Sequence, residues 1–159
     1  MRLRREQREF TLYAESKQLK DREARLKMKE HRYDNSITRQ KSKNFAIRII
    51  NFVKFLQNEK HERIISSQLF RSGTSIGANV RESYNAQSKA DFISKLHIAL
   101  KEADETAYWL ELLYEGEIID KHSFDSIYND LKEIIALLTA SIKTSKKNEG
   151  LKTDKEKKI

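Results

Sequence analysis

Apolar residues recur at helical spacing through most of the chain, and the pattern breaks at only a few places. Phe45, Ile49, Phe52, Val53 and Leu56 share one face, which predicts a first helix from about Ser42 to Gln57. The polar run Asn58-Glu59-Lys60-His61 follows as a loop. Ile65, Leu69, Ser72, Ile76, Val80 and Ser83 form the stripe of a second helix, from about Glu62 to Ala86. Phe70, Gly73, Gly77 and Tyr84 make a neighbouring stripe, so the buried arc is wide. Two helical glycines cost about 1 kcal/mol each against alanine. They are expected where another backbone approaches closely.

Ser88 followed by Asp91 reads as a capping signal and opens a third helix that runs to about Tyr114. Phe92, Leu96, Ala99, Ala103, Leu110 and Tyr114 form one stripe of it. Ile98, Trp109 and Leu112 form a second, roughly opposite. A helix of a four-helix monomer buries one side fully, so the second side is expected to meet another subunit. Glu102 and Glu105 flank it, with Arg71 or Lys95 as expected ion-pair partners, or else as solvated charges. Gly116 suits the left-handed position after the helix end. Asp120 or Ser123 is expected to cap a fourth helix, running to about Lys146, with Phe124, Ile127, Leu131, Ile134, Ile135, Leu138 and Ile142 on its apolar face.

The fold expected is therefore all-α: an antiparallel up-down four-helix bundle over residues 36–146, with a basic N-terminal extension over 1–35 and a disordered basic tail over 147–159. Proline is absent and there are only four glycines, which suits long helices and short loops. In the extension, Leu12, Leu19, Leu26 and Tyr33 recur every seven residues, but the other seam position is polar. A solitary, partly formed helix fits this better than a coiled coil. Met28 stands just before the globular part; initiation there is an expectation that intact mass tests.

Charge is unevenly spread. Of the net +8, residues 1–43 contribute +7 (14 Lys/Arg, 7 Asp/Glu), residues 44–145 contribute −2 (12 and 14), and residues 146–159 contribute +3 (6 and 3). Within the bundle, Arg48, Lys54, Arg63, Arg81, Lys89 and Lys95 lie on the first three helices, while carboxylates concentrate from Glu102 onward. Cations so placed are candidate phosphate contacts, multiplied if subunits form a ring. With no cysteine, no apolar run of membrane length and no secretory signal at the start, the expected location is cytoplasmic, with no membrane partner.

Catalysis finds little support. The four histidines are scattered, with none at metal spacing from another. No Glu-x-x-His pair exists for a di-iron site. Ser72, Ser75 and His97 lack an orienting third group. The run RSGTSIGAN has glycines and hydroxyls but no P-loop lysine and no preceding strand. No enzyme activity, cofactor or metal is expected.

Three runs carry a resemblance: Arg71-Ser72-Gly73-Thr74-Ser75-Ile76-Gly77-Ala78-Asn79 with Glu82, then Gln87 to Phe92, then Ala99 to Leu110 within KEADETAYWLELL. Over about Lys43 to Lys147 the chain resembles the bacterial four-helix-bundle proteins encoded within 23S rRNA intervening sequences. That family is similar to the accessory variability protein of diversity-generating retroelements. The resemblance implies a homopentameric, barrel-like ring. For the retroelement relative it implies binding of nucleic acid and of a reverse transcriptase. No catalytic residue is implied.

Two functions follow as expectations. The first is a non-enzymatic, oligomeric, RNA-associated protein with Arg48, Lys54, Arg63, Arg81, Lys89 and Lys95 on phosphates. The alternative is a structural adaptor for a protein partner such as a reverse transcriptase, engaged through the ring's outer surface. The expected subunit interface comprises Phe70, Gly73, Gly77, Ile98, Trp109 and Leu112.

Overall fold

A computed structural model describes residues 18–23 and 36–156, with side chains described to Lys147. The chain divides into two units, residues 1–36 and 37–159. In the first, residues 18–23 are helical and Leu19 is exposed. The other positions of the expected seven-residue seam, and Met28, lie outside the described residues.

The second unit is an antiparallel bundle of α1 (Ile37–Asn58), α2 (Ile64–Ser83), α3 (Lys89–Glu115) and α4 (Lys121–Glu156). Each helix packs on its chain neighbours, and α1 closes the square on α4 less extensively. The antiparallel register is written in descending pairs. Gln57 bonds Ser66, Ser72 meets Thr106, and Lys95 pairs with Glu82. The core holds Phe45, Ile49, Val53 and Leu56 of α1, Leu69, Ile76 and Val80 of α2, Leu96, Leu110 and Leu113 of α3, and Ile127, Leu131, Ile134 and Leu138 of α4.

Most of the apolar stripes bury as their spacing predicts; Phe70, on the second stripe of α2, stays exposed, and Leu113, outside both expected stripes of α3, is fully buried. Other differences sit at helix ends. Helix α1 begins at Ile37 rather than near Ser42, and buries Thr38 and Ser42 in its first turns. The start of α2 is capped by Glu62. Its carboxylate accepts from the Ile64, Ile65 and Ser66 N–H groups at 2.9, 2.8 and 2.7 Å. Three N–H groups without helical partners are satisfied by one side chain. Ser88 accepts from the Asp91 N–H (3.0 Å), the cap expected of the spacing, while the Asp91 carboxylate reaches back to the Gln87 N–H (3.1 Å), one residue before the cap. Asp120 accepts from the Ser123 N–H at 2.7 Å, which settles the choice between the two candidate caps of α4. These bonds hold the Asp120 carboxyl below its ordinary value.

Gly116 does not take the left-handed position. It keeps φ −78°, and Glu117 adopts φ 58° instead. The Glu117 N–H then bonds the Tyr114 carbonyl and the Ile118 N–H bonds the Leu113 carbonyl, so the Schellman turn is complete but shifted by one residue. Glycine is still needed at 116, since a Cβ there would stand 2.8 Å from the Leu112 carbonyl oxygen. At the other end, α4 continues through 147–156, where charge and polarity predict a disordered tail. Lysine, glutamate and leucine in this stretch are good helix formers.

Candidate nucleic-acid interface

The run RSGTSIGAN is helical rather than a loop, and its Ser72, Gly73 and Ile76 are buried in the bundle. A Cβ on Gly73 would lie 2.9 Å from Ile49 Cγ1, and one on Gly77 would lie 3.2 Å from the Ser42 carbonyl oxygen. Both glycines therefore receive α1 of the same chain, a close approach that accounts for them within one subunit. Ser72 is buried and hydrogen-bonded to the buried Thr106 hydroxyl at 3.0 Å. Thr106 also donates to the Glu102 carbonyl at 2.7 Å. The first and third of the sequence runs that carry the family resemblance thus meet across α2 and α3. Ser72 is a packing residue, held away from any role with His97.

At about 100° per residue, the helices present distinct flanks. Phe70 lies about 160° from Ser72, on the α1 side of α2, and is 42% exposed. Ile98, Trp109 and Leu112 lie on α3 beyond its seam with α2. Ile98 is 38% exposed, and Trp109 and Leu112 are half-buried. The six expected interface residues therefore separate into an intramolecular pair, one residue on the α1/α2 flank and three on the α3 flank. Tyr108, 52% exposed, joins the last group and sits edge-on to Trp109 with ring centroids 5.0 Å apart. The Trp109 indole N–H donates to Glu105 at 3.1 Å. Burial, with the nearby Glu105 charge, raises the Glu102 carboxyl above its ordinary value, against the lowering effect of Arg71.

The candidate cations also separate. Arg48 donates to Asp130, to the Ser126 carbonyl at 3.1 Å and to the Ser126 hydroxyl, tying α1 to α4. It is thereby withdrawn as a free phosphate contact. Sequence gave no warning, because the partner is on the far helix. Lys95 pairs with Glu82, whose hydrogen bond and charge raise the lysine's pKa. Neither Glu102 nor Glu105 takes that role. Lys89 is half-exposed at the start of α3. Lys54, Arg63 and Arg81 are exposed, Arg81 with interactions of its own. Lys54, Arg63 and Arg81 share the outward α1/α2 flank, which Lys43 also joins. The two helices hold seven Lys/Arg against one carboxylate, Glu82, which lies on the α3 side. In α3 the balance reverses, with six carboxylates and three lysines.

One feature escapes the periodicity. Along the seam of α1 and α4, the least extensive of the bundle, a crevice of about 430 Å³ opens beside Phe55. An exposed aromatic next to Lys54, off the core face, is its only sequence signal. Among the described residues no cluster of three or more His, Asp or Glu could hold a metal ion, and no helix is long and apolar enough to cross a membrane.

A comparison with curated proteins finds no match. Among solved structures, the chain is similar to a protein of unknown function from the S23 ribosomal protein family of Bacteroides thetaiotaomicron VPI-5482. The two are 57% identical, with a TM-score of 0.67, over 67% of this chain and 99% of that one. The 23S rRNA-intervening sequence protein family matches residues 34–140. By that match, across most of the bundle, the chain belongs to the 23S rRNA-intervening sequence protein family.

Proposed function

We propose that this is a non-enzymatic, oligomeric, RNA-associated protein of the cytoplasm that holds phosphates on the outward α1/α2 flank. The observation that carries this reading is the one-sided charge of that flank. Lys43, Lys54 and Arg63 are exposed there and α1 has no carboxylate at all. Uncompensated cations on a rigid pair of helices attract a phosphate backbone and release its counterions. The family name, which ties these proteins to rRNA inserts, agrees with an RNA partner. Self-association, as the homopentamer the resemblance implies, would use the α3 flank of Ile98, Tyr108, Trp109 and Leu112.

The test is Arg63→Glu combined with Arg81→Glu in the full chain, with single-stranded RNA binding followed by anisotropy. Binding should weaken, and the slope of log K against log salt should fall by about two. Unchanged binding and slope would remove the flank from the function. Trp109→Ala should shift the native mass to monomer; an unchanged mass would take Trp109 out of the subunit contact. A protein-adaptor role through the α3 flank is the second reading, supported by the exposure of Tyr108 and Ile98. It predicts a partner contact that rising salt leaves intact.

A further inference from the structure

We infer that the crevice beside Phe55 receives a single unstacked base of single-stranded RNA. This rests on the RNA reading above and adds a base site to a phosphate flank. The crevice falls within the size range of small-molecule sites, roughly 300–1,000 Å³. One wall is aromatic. Phe52 and Phe55 lie with their planes 21° apart and centroids 6.1 Å apart, and Phe55 is 39% exposed. Ile127 adds to the apolar lining, and the polar groups are Asn51 and Arg48 on α1 and His122, Ser123 and Ser126 on α4. An amide and a hydroxyl each offer both a donor and an acceptor, which suits the mixed edge of a base. No carboxylate lines the crevice itself, while Glu115, Glu117 and Asp120 line the adjoining pocket that shares Phe55 and Ser123, so the attached phosphate is expected on the Lys54 side. The Lys60 ammonium stands 5.9 Å from the Phe55 ring centroid and adds positive charge at the rim.

Arg48 takes on a different role from the one its charge suggests. It lines this crevice, and Asp130 and Ser126 fix its guanidinium. A fixed guanidinium plane is a stacking surface for a base. The approach is also prepared. Lys43, Ile47, Asn51 and Lys54 follow one another on the solvent face of α1, all exposed. A strand laid along them keeps its phosphates on the lysines while one base turns into the crevice. A duplex has no base free to do so, which makes the site selective for single strands.

The test compares a short oligouridine with an abasic strand of the same length, by anisotropy on the full chain. The intact strand should bind about tenfold more tightly, the scale of one base–aromatic stack. Phe55→Leu should reduce that ratio to near one while leaving abasic binding unchanged, and Asn51→Ala should reduce it in part. Equal binding of both strands, or an advantage that survives Phe55→Leu, would overturn the inference. If neither strand binds, the phosphate flank fails and the crevice is read separately with uridine monophosphate. Saturation transfer to its base protons, lost in Phe55→Leu, would uphold the site, and no transfer would overturn it.

Discussion

Replacing Gly73 with alanine should destabilise the bundle, although alanine is the better helix former. The new Cβ would lie 2.9 and 3.0 Å from Ile49 Cγ1 and Cγ2. Ile49 is fully buried and, being β-branched within a helix, is held to essentially one χ1 rotamer. It cannot swing away. Overpacking of this kind costs about 1–3 kcal/mol, while removal of a helical glycine returns up to about 1 kcal/mol. The net loss is about 1 kcal/mol. Ile49→Ala alone should cost about 2–5 kcal/mol, but it removes both clashing atoms. In that background Gly73→Ala should become stabilising, by about 1 kcal/mol. The change of sign, a coupling of about 2 kcal/mol, is read from urea unfolding of the four proteins by far-UV circular dichroism. Protein concentration must be fixed, since association contributes to apparent stability. Because the contact is within one chain, native mass should be unchanged in Gly73→Ala. A stabilising Gly73→Ala in the parent sequence would refute the close packing, and a change of oligomeric state would return Gly73 to the subunit interface.

Three further outcomes follow from the helix ends and the α3 flank. Glu62→Ala should cost about 1–2 kcal/mol in unfolding experiments, because it strips the cap from three N–H groups of α2. Glu117→Gly should raise stability by about 1 kcal/mol, since glycine adopts the left-handed conformation without penalty. Glu102→Gln should raise the melting temperature at pH 7. The folded-state pKa of Glu102 lies above its unfolded value, so its ionisation opposes folding as pH rises through that interval. The gain should vanish once the pH falls below the unfolded carboxylate value, and a gain that persists in acid would contradict the burial of Glu102.

Sequence was most informative where a structure depends on spacing alone. The buried face of α1 follows from Phe45, Ile49, Val53 and Leu56, and the caps at Ser88 and Asp120 follow from residues three apart. Periodicity also revealed that α3 carries apolar groups outside its core stripe. It could not show what each stripe faces. Gly73 and Phe70 share a stripe, yet the glycine seats Ile49 while Phe70 stays exposed on the outer edge of that seam. Nor could local spacing reveal contacts made across the bundle. Arg48 and Asp130 are brought together only by the closure of α4 on α1. The Phe55 crevice arises from the same closure. Residue type pointed to Gly116 as the left-handed position, yet Glu117 takes it, one residue further on.

If the helical unit itself holds RNA phosphates, it binds without the N-terminal extension. The most direct measurement is single-stranded RNA affinity across a salt series, for the full chain and for residues 36–156. Retained binding by the shorter chain, with a steep negative slope of log K against log salt, is the predicted result. Loss of binding from residues 36–156 while the full chain still binds would contradict this and move the activity to the N-terminal extension.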